Sequence, residues 1–166
     1  MLDFSKGYSV EEYFLKGYEE ERDRQKRACD RAVFLPGFDE AVRAVTEPVF
    51  LAAFAEIYCP DTVTAMPFVK RAADLNPLVR LAVFERDPFA AELEAATGAK
   101  KIPTFLFYDS EMKVRGRFVE LPDELIELMG DADPDERSCM NINYRRGRYN
   151  DLIQKQIMAI LAAFSG

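Results

Sequence analysis

One cysteine in this sequence stands where a buried strand hands over to a helix. Tyr58-Cys59-Pro60-Asp61-Thr62 follows the nearly continuous apolar run 49–58 (VFLAAFAEIY) and opens a helical stretch expected over 60–75. Pro60 suits the first helical position, where its missing N–H costs nothing, and this puts Cys59 at the N-cap. A sulfur there meets unpaired backbone N–H groups and the positive end of the helix dipole, both of which favour thiolate. Cysteines in such surroundings titrate at about 3.5–7.5 instead of about 8.5. Thr62 lies on the same first turn, its hydroxyl within expected reach of the sulfur. These residue types suit nucleophilic attack by a thiolate. The plainer alternative is a cysteine that only packs. Cys29 and Cys139 have no motif around them and read as bystanders.

The rest of the composition narrows the chemistry further. The chain of 166 residues has no histidine, which removes the commonest general base, the Cys-His pair and most zinc sites. No metal and no cofactor is expected. A net charge of −7 argues against a nucleic-acid partner, which calls for a basic face. Three cysteines without regular spacing do not make a secreted disulfide framework. Neither a signal peptide nor a membrane-length apolar run is visible, so a reducing cytoplasm is the expected location and no membrane partner is expected. Hydrophobic residues make up 49% of the chain, enough to fill a core without staples.

Several elements must position the thiol. Ser9 and Glu12 form a capping-box pattern, and Val10, Tyr13, Phe14 and Tyr18 recur at helical spacing, so a first helix is expected to run on into the charged stretch 19–31. That stretch reads as a solvated face. Asp39 is expected to cap a short helix that Pro48 ends. After the first strand and the 60–75 helix, which contains Pro67, come a second strand (79–85) and a second helix (88–97) stopped by Gly98. Strands 104–108 and 112–120 pair as a hairpin, and Leu121, Leu125, Leu128 and Met129 give a further helix face. Residues 131–135 read as an acidic connection. Arg145, Arg146 and Arg148 read as a solvated turn, or as a holder for an anionic thiol such as glutathione. Beyond them Tyr149, Leu152, Ile153, Ile157, Ile160, Leu161 and Phe164 form the cleanest amphipathic stripe in the chain. Its target is the core of its own chain or a second copy, as in a homodimer.

The Cys59-Pro60 segment resembles the active site of the thioredoxin superfamily, in which a Cys-x-x-Cys motif opens the helix after a central strand. Pro67, eight residues after Cys59, matches the proline within that helix. Lys101-Ile102-Pro103-Thr104 matches the family's Ile-Pro-Thr segment, and the element order over 49–130 is also similar. The resemblance implies an α/β thioredoxin-like fold with additional N- and C-terminal helices. It is read as a single domain over 1–166, with a core of about 44–130, a helical extension over 1–43 and a last helix of about 149–165. It also implies a cis Ile102–Pro103 bond beside the thiol, and a substrate wall formed by Tyr58, Pro60, Asp61, Ile102 and Pro103.

Two departures matter. Thr62 replaces the second cysteine, and Ala53 stands where the family commonly buries a carboxylate, so the dithiol mechanism is absent. Glu56 lies nearby but on the other face of the strand. Two functions remain open. One is a monothiol thiol–disulfide oxidoreductase, with Cys59 attacking a protein disulfide or a low-molecular-weight thiol's disulfide and Thr62 supporting the thiolate. The other is a catalytically silent binding or adaptor module.

Overall fold

The computed structural model describes residues 1–166. Four strands, β1 (Val49–Phe54), β2 (Val79–Phe84), β3 (Thr104–Tyr108) and β4 (Val114–Val119), form one sheet in the order β2-β1-β3-β4. Eight helices surround it: α1 (Val10–Tyr13), α2 (Glu19–Arg31), α3 (Phe38–Arg43), α4 (Pro60–Leu75), α5 (Ala90–Thr97), α6 (Asp123–Gly130), α7 (Pro134–Arg145) and α8 (Asn150–Leu161). β1 and β2 are parallel, joined through α4, while β3 runs antiparallel to both of its neighbours. This is an α/β thioredoxin-like fold.

The period of two along each strand divides the interior in two. Leu51 and Ala53 of β1 and Phe105 and Phe107 of β3 point to the larger core, which α3, α4 and α8 cover. Ala52, Phe54, Leu106 and Tyr108 point to a smaller core closed by Leu2, Leu93 and Ile102. The stripe on α8 goes to its own chain: Leu152, Ile153, Ile157, Leu161 and Phe164 all join the larger core.

The N-terminal helices dock through a defect in α4. Pro67 lacks the N–H that would bond the carbonyl of Val63 one turn earlier. Gln25 of α2 fills the gap, its Nε2 donating to that carbonyl at 3.2 Å. Gln25 Oε1 in turn accepts from the Tyr13 hydroxyl at 2.8 Å, and both residues are fully buried.

Four local features differ from the sequence reading. The first helix breaks at Gly17, whose φ of 74° is left-handed, so α1 and α2 are separate. Gly37, at φ 90°, precedes α3, and Asp39 sits inside its first turn, paired with Arg71 at 2.6 Å instead of capping. β1 ends at Phe54, and residues 55–58 turn out of the sheet, closed by the Cys59 N–H donating to the Glu56 carbonyl at 3.0 Å. The acidic connection is in fact the start of α7: Asp133 and Glu136 bond each other's backbone N–H groups at 2.9 and 3.2 Å, with Pro134 at the first helical position.

Both borders of the sheet are engaged. At β2, Tyr8 exchanges backbone hydrogen bonds with Val83 at 2.9 and 2.8 Å. At β4, Gln156 of α8 donates to the Arg117 carbonyl at 3.1 Å. A side chain at Gly116 would collide with Ile160, so α8 lies directly on that strand.

Candidate active site around Cys59

Cys59 is the N-cap of α4, with extended backbone (φ −79°, ψ 120°) and Pro60 at the first helical position. The Val63 N–H donates to the Cys59 carbonyl at 3.1 Å, the first bond of the helix. Across from the sulfur is the loop before β3. Cys59 Sγ lies 3.9 Å from the Ile102 carbonyl oxygen, a long and weak S–H···O contact. The Ile102–Pro103 peptide is cis. Two further bonds fix this loop: the Glu120 N–H donates to the Pro103 carbonyl at 2.7 Å, and the Thr104 hydroxyl donates to the Lys101 carbonyl at 2.8 Å. The structure therefore brings Cys59, Pro60, Ile102 and Pro103 together.

Thr62 does something other than the sequence suggests. It is fully buried, and its hydroxyl has no hydrogen-bond partner, the sulfur included. The side chain is buried at the first turn of α4 and makes no hydrogen bond to the thiol.

Tyr58 is half exposed at the rim. Its carbonyl accepts from Arg24 Nη2 at 3.1 Å, and its hydroxyl accepts from Arg86 Nη2 at 3.4 Å. Asp61, with 13% of its side chain exposed, is paired with Arg145 Nε at 3.0 Å. The last residue of α7 is thereby tied to the first turn of α4. Arg146 and Arg148 occupy the exposed turn that follows.

No carboxylate replaces the missing acid. Ala53 is fully buried between Val83 and Phe105 on the neighbouring strands. Glu56 accepts the Arg86 backbone N–H at 3.0 Å, and burial raises its carboxyl above the ordinary range. All three cysteines are free thiols. Burial pushes the Cys29 thiol up to about 11, while Cys139 is exposed on α7.

Sequence reasoning missed Tyr144 and Arg24, and it named Arg145 without its pairing to Asp61. Tyr144 is fully buried, its hydroxyl has no partner, and burial together with the nearby Asp61 carboxylate holds it protonated. The signal that would have found it is the Asp133–Glu136 capping box, which starts the helix that carries it.

The profile of the thioredoxin family matches residues 7–137, from the N-terminal extension through Cys59 and Pro103 into α7. The chain belongs to the thioredoxin family. No curated protein matches the sequence. Among solved structures, an HIV epitope-scaffold superposes with a TM-score of 0.81 at 20% identity, covering 96% of this chain and 95% of that one. A protein of unknown function from Pseudomonas aeruginosa gives 0.80 at 22% identity over the same shares. At these identities the likeness is one of fold. This thioredoxin-family chain shares its overall architecture with them, N- and C-terminal helices included. No helix in it is long and apolar enough to cross a membrane.

Proposed function

We propose that the protein is a monothiol thiol–disulfide oxidoreductase acting through Cys59 in a reducing compartment such as the cytoplasm. The observation that carries this reading is the half-buried Cys59 sulfur at the N-cap of α4, facing the Ile102–Pro103 loop, with a hydroxyl in place of a second thiol three residues on. The thiolate attacks one sulfur of a substrate disulfide. A bond forms from Cys59 Sγ to that sulfur, the substrate S–S bond breaks, and the departing thiolate takes a proton from water. A low-molecular-weight thiol then attacks the mixed disulfide and releases Cys59 as thiolate. Tyr58, Pro60, Asp61 and the Ile102–Pro103 backbone form the wall against which the substrate lies.

The test is a stopped-flow and mass-spectrometric experiment with an oxidised small thiol. Wild type should accumulate one mixed disulfide at Cys59 and turn over only when a monothiol is added. Cys59→Ser should abolish both. Adduct formation at Cys29 or Cys139 instead would reject the reading. A second reading, an adaptor that uses the fold without redox chemistry, is favoured by the absence of both the second thiol and the buried acid at Ala53. It predicts no adduct at any cysteine.

A further inference from the structure

Beyond the thiol, α4 presents a second surface. α2 rises on one side of it and the turn between α7 and α8 on the other, leaving a cleft of about 540 Å³. Its floor is the face of α4 formed by Pro60, Val63, Pro67 and Phe68. Five arginines line its walls. Arg24, Arg27 and Arg31 fall on one face of α2 at spacings of three and four, and Arg145 and Arg146 come from the end of α7. No carboxylate lines the cleft. Arg145 is committed in part to Asp61, and Arg24 to the Tyr58 carbonyl. Arg27, Arg31 and Arg146 have no ion pair and no side-chain hydrogen bond to any protein group.

This concentration of cations is out of keeping with a chain whose net charge is −7. Like charges held together repel, and a surface of mixed sign would ordinarily intersperse carboxylates among them. Guanidinium groups are planar forks that match phosphate and carboxylate oxygens in pairs, so two facing rows of them suit an anion held from both sides. The volume falls in the range of small-molecule sites, roughly 300–1,000 Å³. The apolar floor gives a place for an uncharged body between the charged ends. The acidic balance elsewhere on the chain disfavours an extended polyanionic macromolecule, which would have to lie beyond the cleft walls.

We propose that this cleft binds a small polyanion, a molecule with at least two phosphate or carboxylate groups and dimensions near those of a nucleotide. The inference stands apart from the redox reading, because Arg27, Arg31 and Arg146 bond to none of the residues placed around the thiol. Its position nonetheless places the ligand against the helix that carries Cys59.

Calorimetric titration tests it, using the full-length Cys59→Ser protein at about 0.15 M salt. The probes are tripolyphosphate, ATP and citrate. Arg27→Ser/Arg31→Ser/Arg146→Ser should weaken binding roughly tenfold or more, since each lost guanidinium removes charge-assisted bonds. Its thermal midpoint should hold or rise as repulsion is relieved, which separates lost binding from lost folding. Lys100→Ser/Lys113→Ser/Lys155→Ser, with the same charge change elsewhere, should leave affinity within about twofold. Tighter binding of tripolyphosphate than of citrate assigns phosphate; the reverse assigns carboxylate. Failure of all three probes to bind, or equal losses in both triple variants, overturns the proposal. So does an oligoglutamate peptide that binds more tightly than every small probe, which would make the cleft a docking face for acidic protein.

Discussion

Cys59 stands at the N-terminal end of α4, where its sulfur makes no cap hydrogen bond to the first turn and faces the Ile102 carbonyl. Cys29 lies against α4 in a place where burial holds its thiol up near 11, and Cys139 sits in the middle of α7, beyond its first turn. Limited alkylation at pH 7, followed by peptide mass spectrometry, should therefore label Cys59 first and Cys29 last. Earlier labelling of Cys139 would remove the special status of the site. Thr62 offers a second test. Its hydroxyl is buried and unpartnered, so Thr62→Cys sacrifices no hydrogen bond and nearly conserves volume, and reduced stability should change by less than about 1.5 kcal/mol. On oxidation the variant should close an intramolecular disulfide with Cys59, read as the loss of two free thiols. Glu56 makes its own contribution to the pH dependence, opposite in sign to that of Asp39 and Asp109, whose hydrogen bonds lower their carboxyls. Its folded pKa is raised by burial, so the unfolded chain ionises first and the charged form penalises the fold as pH rises through the carboxylate range. Glu56→Gln keeps an oxygen for the Arg86 N–H, and should raise the melting temperature at pH 7. That difference should vanish near pH 4 and below, where wild type gains its proton. A constant difference across pH would assign the effect to packing.

The helices show which signals a sequence displays and which it hides. α4 is readable to the residue, because Pro60 fixes its start and Asn76-Pro77 its end. α7 is not, since Tyr144 is its one fully buried residue and Ile142 is half exposed, leaving no apolar stripe to detect. Its sign is the cap. Replacing Asp133 with Ala should cost about 1 kcal/mol in chemical denaturation, with the loss confined to α7 in hydrogen exchange if that helix frays alone. Gln25 was legible in principle: a proline inside a helix announces an orphan carbonyl four residues earlier, and Gln25 is an uncharged polar residue amid the charged run of α2. Gln25→Leu would strand both the Val63 carbonyl and the Tyr13 hydroxyl in the core, at about 1–3 kcal/mol for each group left unpaired. A loss under about 1 kcal/mol would mean that water reaches them. The site divides along the same line. Cys59, Pro60, Ile102 and Pro103 are local motifs and could be read directly. The burial of Thr62, the Asp61–Arg145 pair and the arginine walls depend on segments that meet only in the folded chain.

Across the whole molecule, the larger core draws on Tyr13 at one end of the chain and Phe164 at the other. The Phe164 carbonyl also accepts from the N–H groups of Thr46 and Glu47, at 3.0 and 3.2 Å. Deleting residues after Gly147 removes Leu152, Ile153, Ile157, Leu161 and Phe164 together. At roughly 1.5–3 kcal/mol for each large buried side chain, that loss is comparable with the whole 5–15 kcal/mol by which domains are ordinarily stable. The truncated chain should show no cooperative thermal transition and should bind a hydrophobic dye; a sharp melt would mark α8 as detachable. The engagement of the sheet borders has another consequence. Tyr8 occupies β2 near one end, and Gln156 takes up a carbonyl of β4 at mid-strand, so neither border presents an uninterrupted row of backbone groups. An incoming strand meets only an interrupted template there. The same two extensions that complete the core thus guard the folded protein against the strand-by-strand recruitment that seeds fibrils, and against exchange of strands between neighbouring copies.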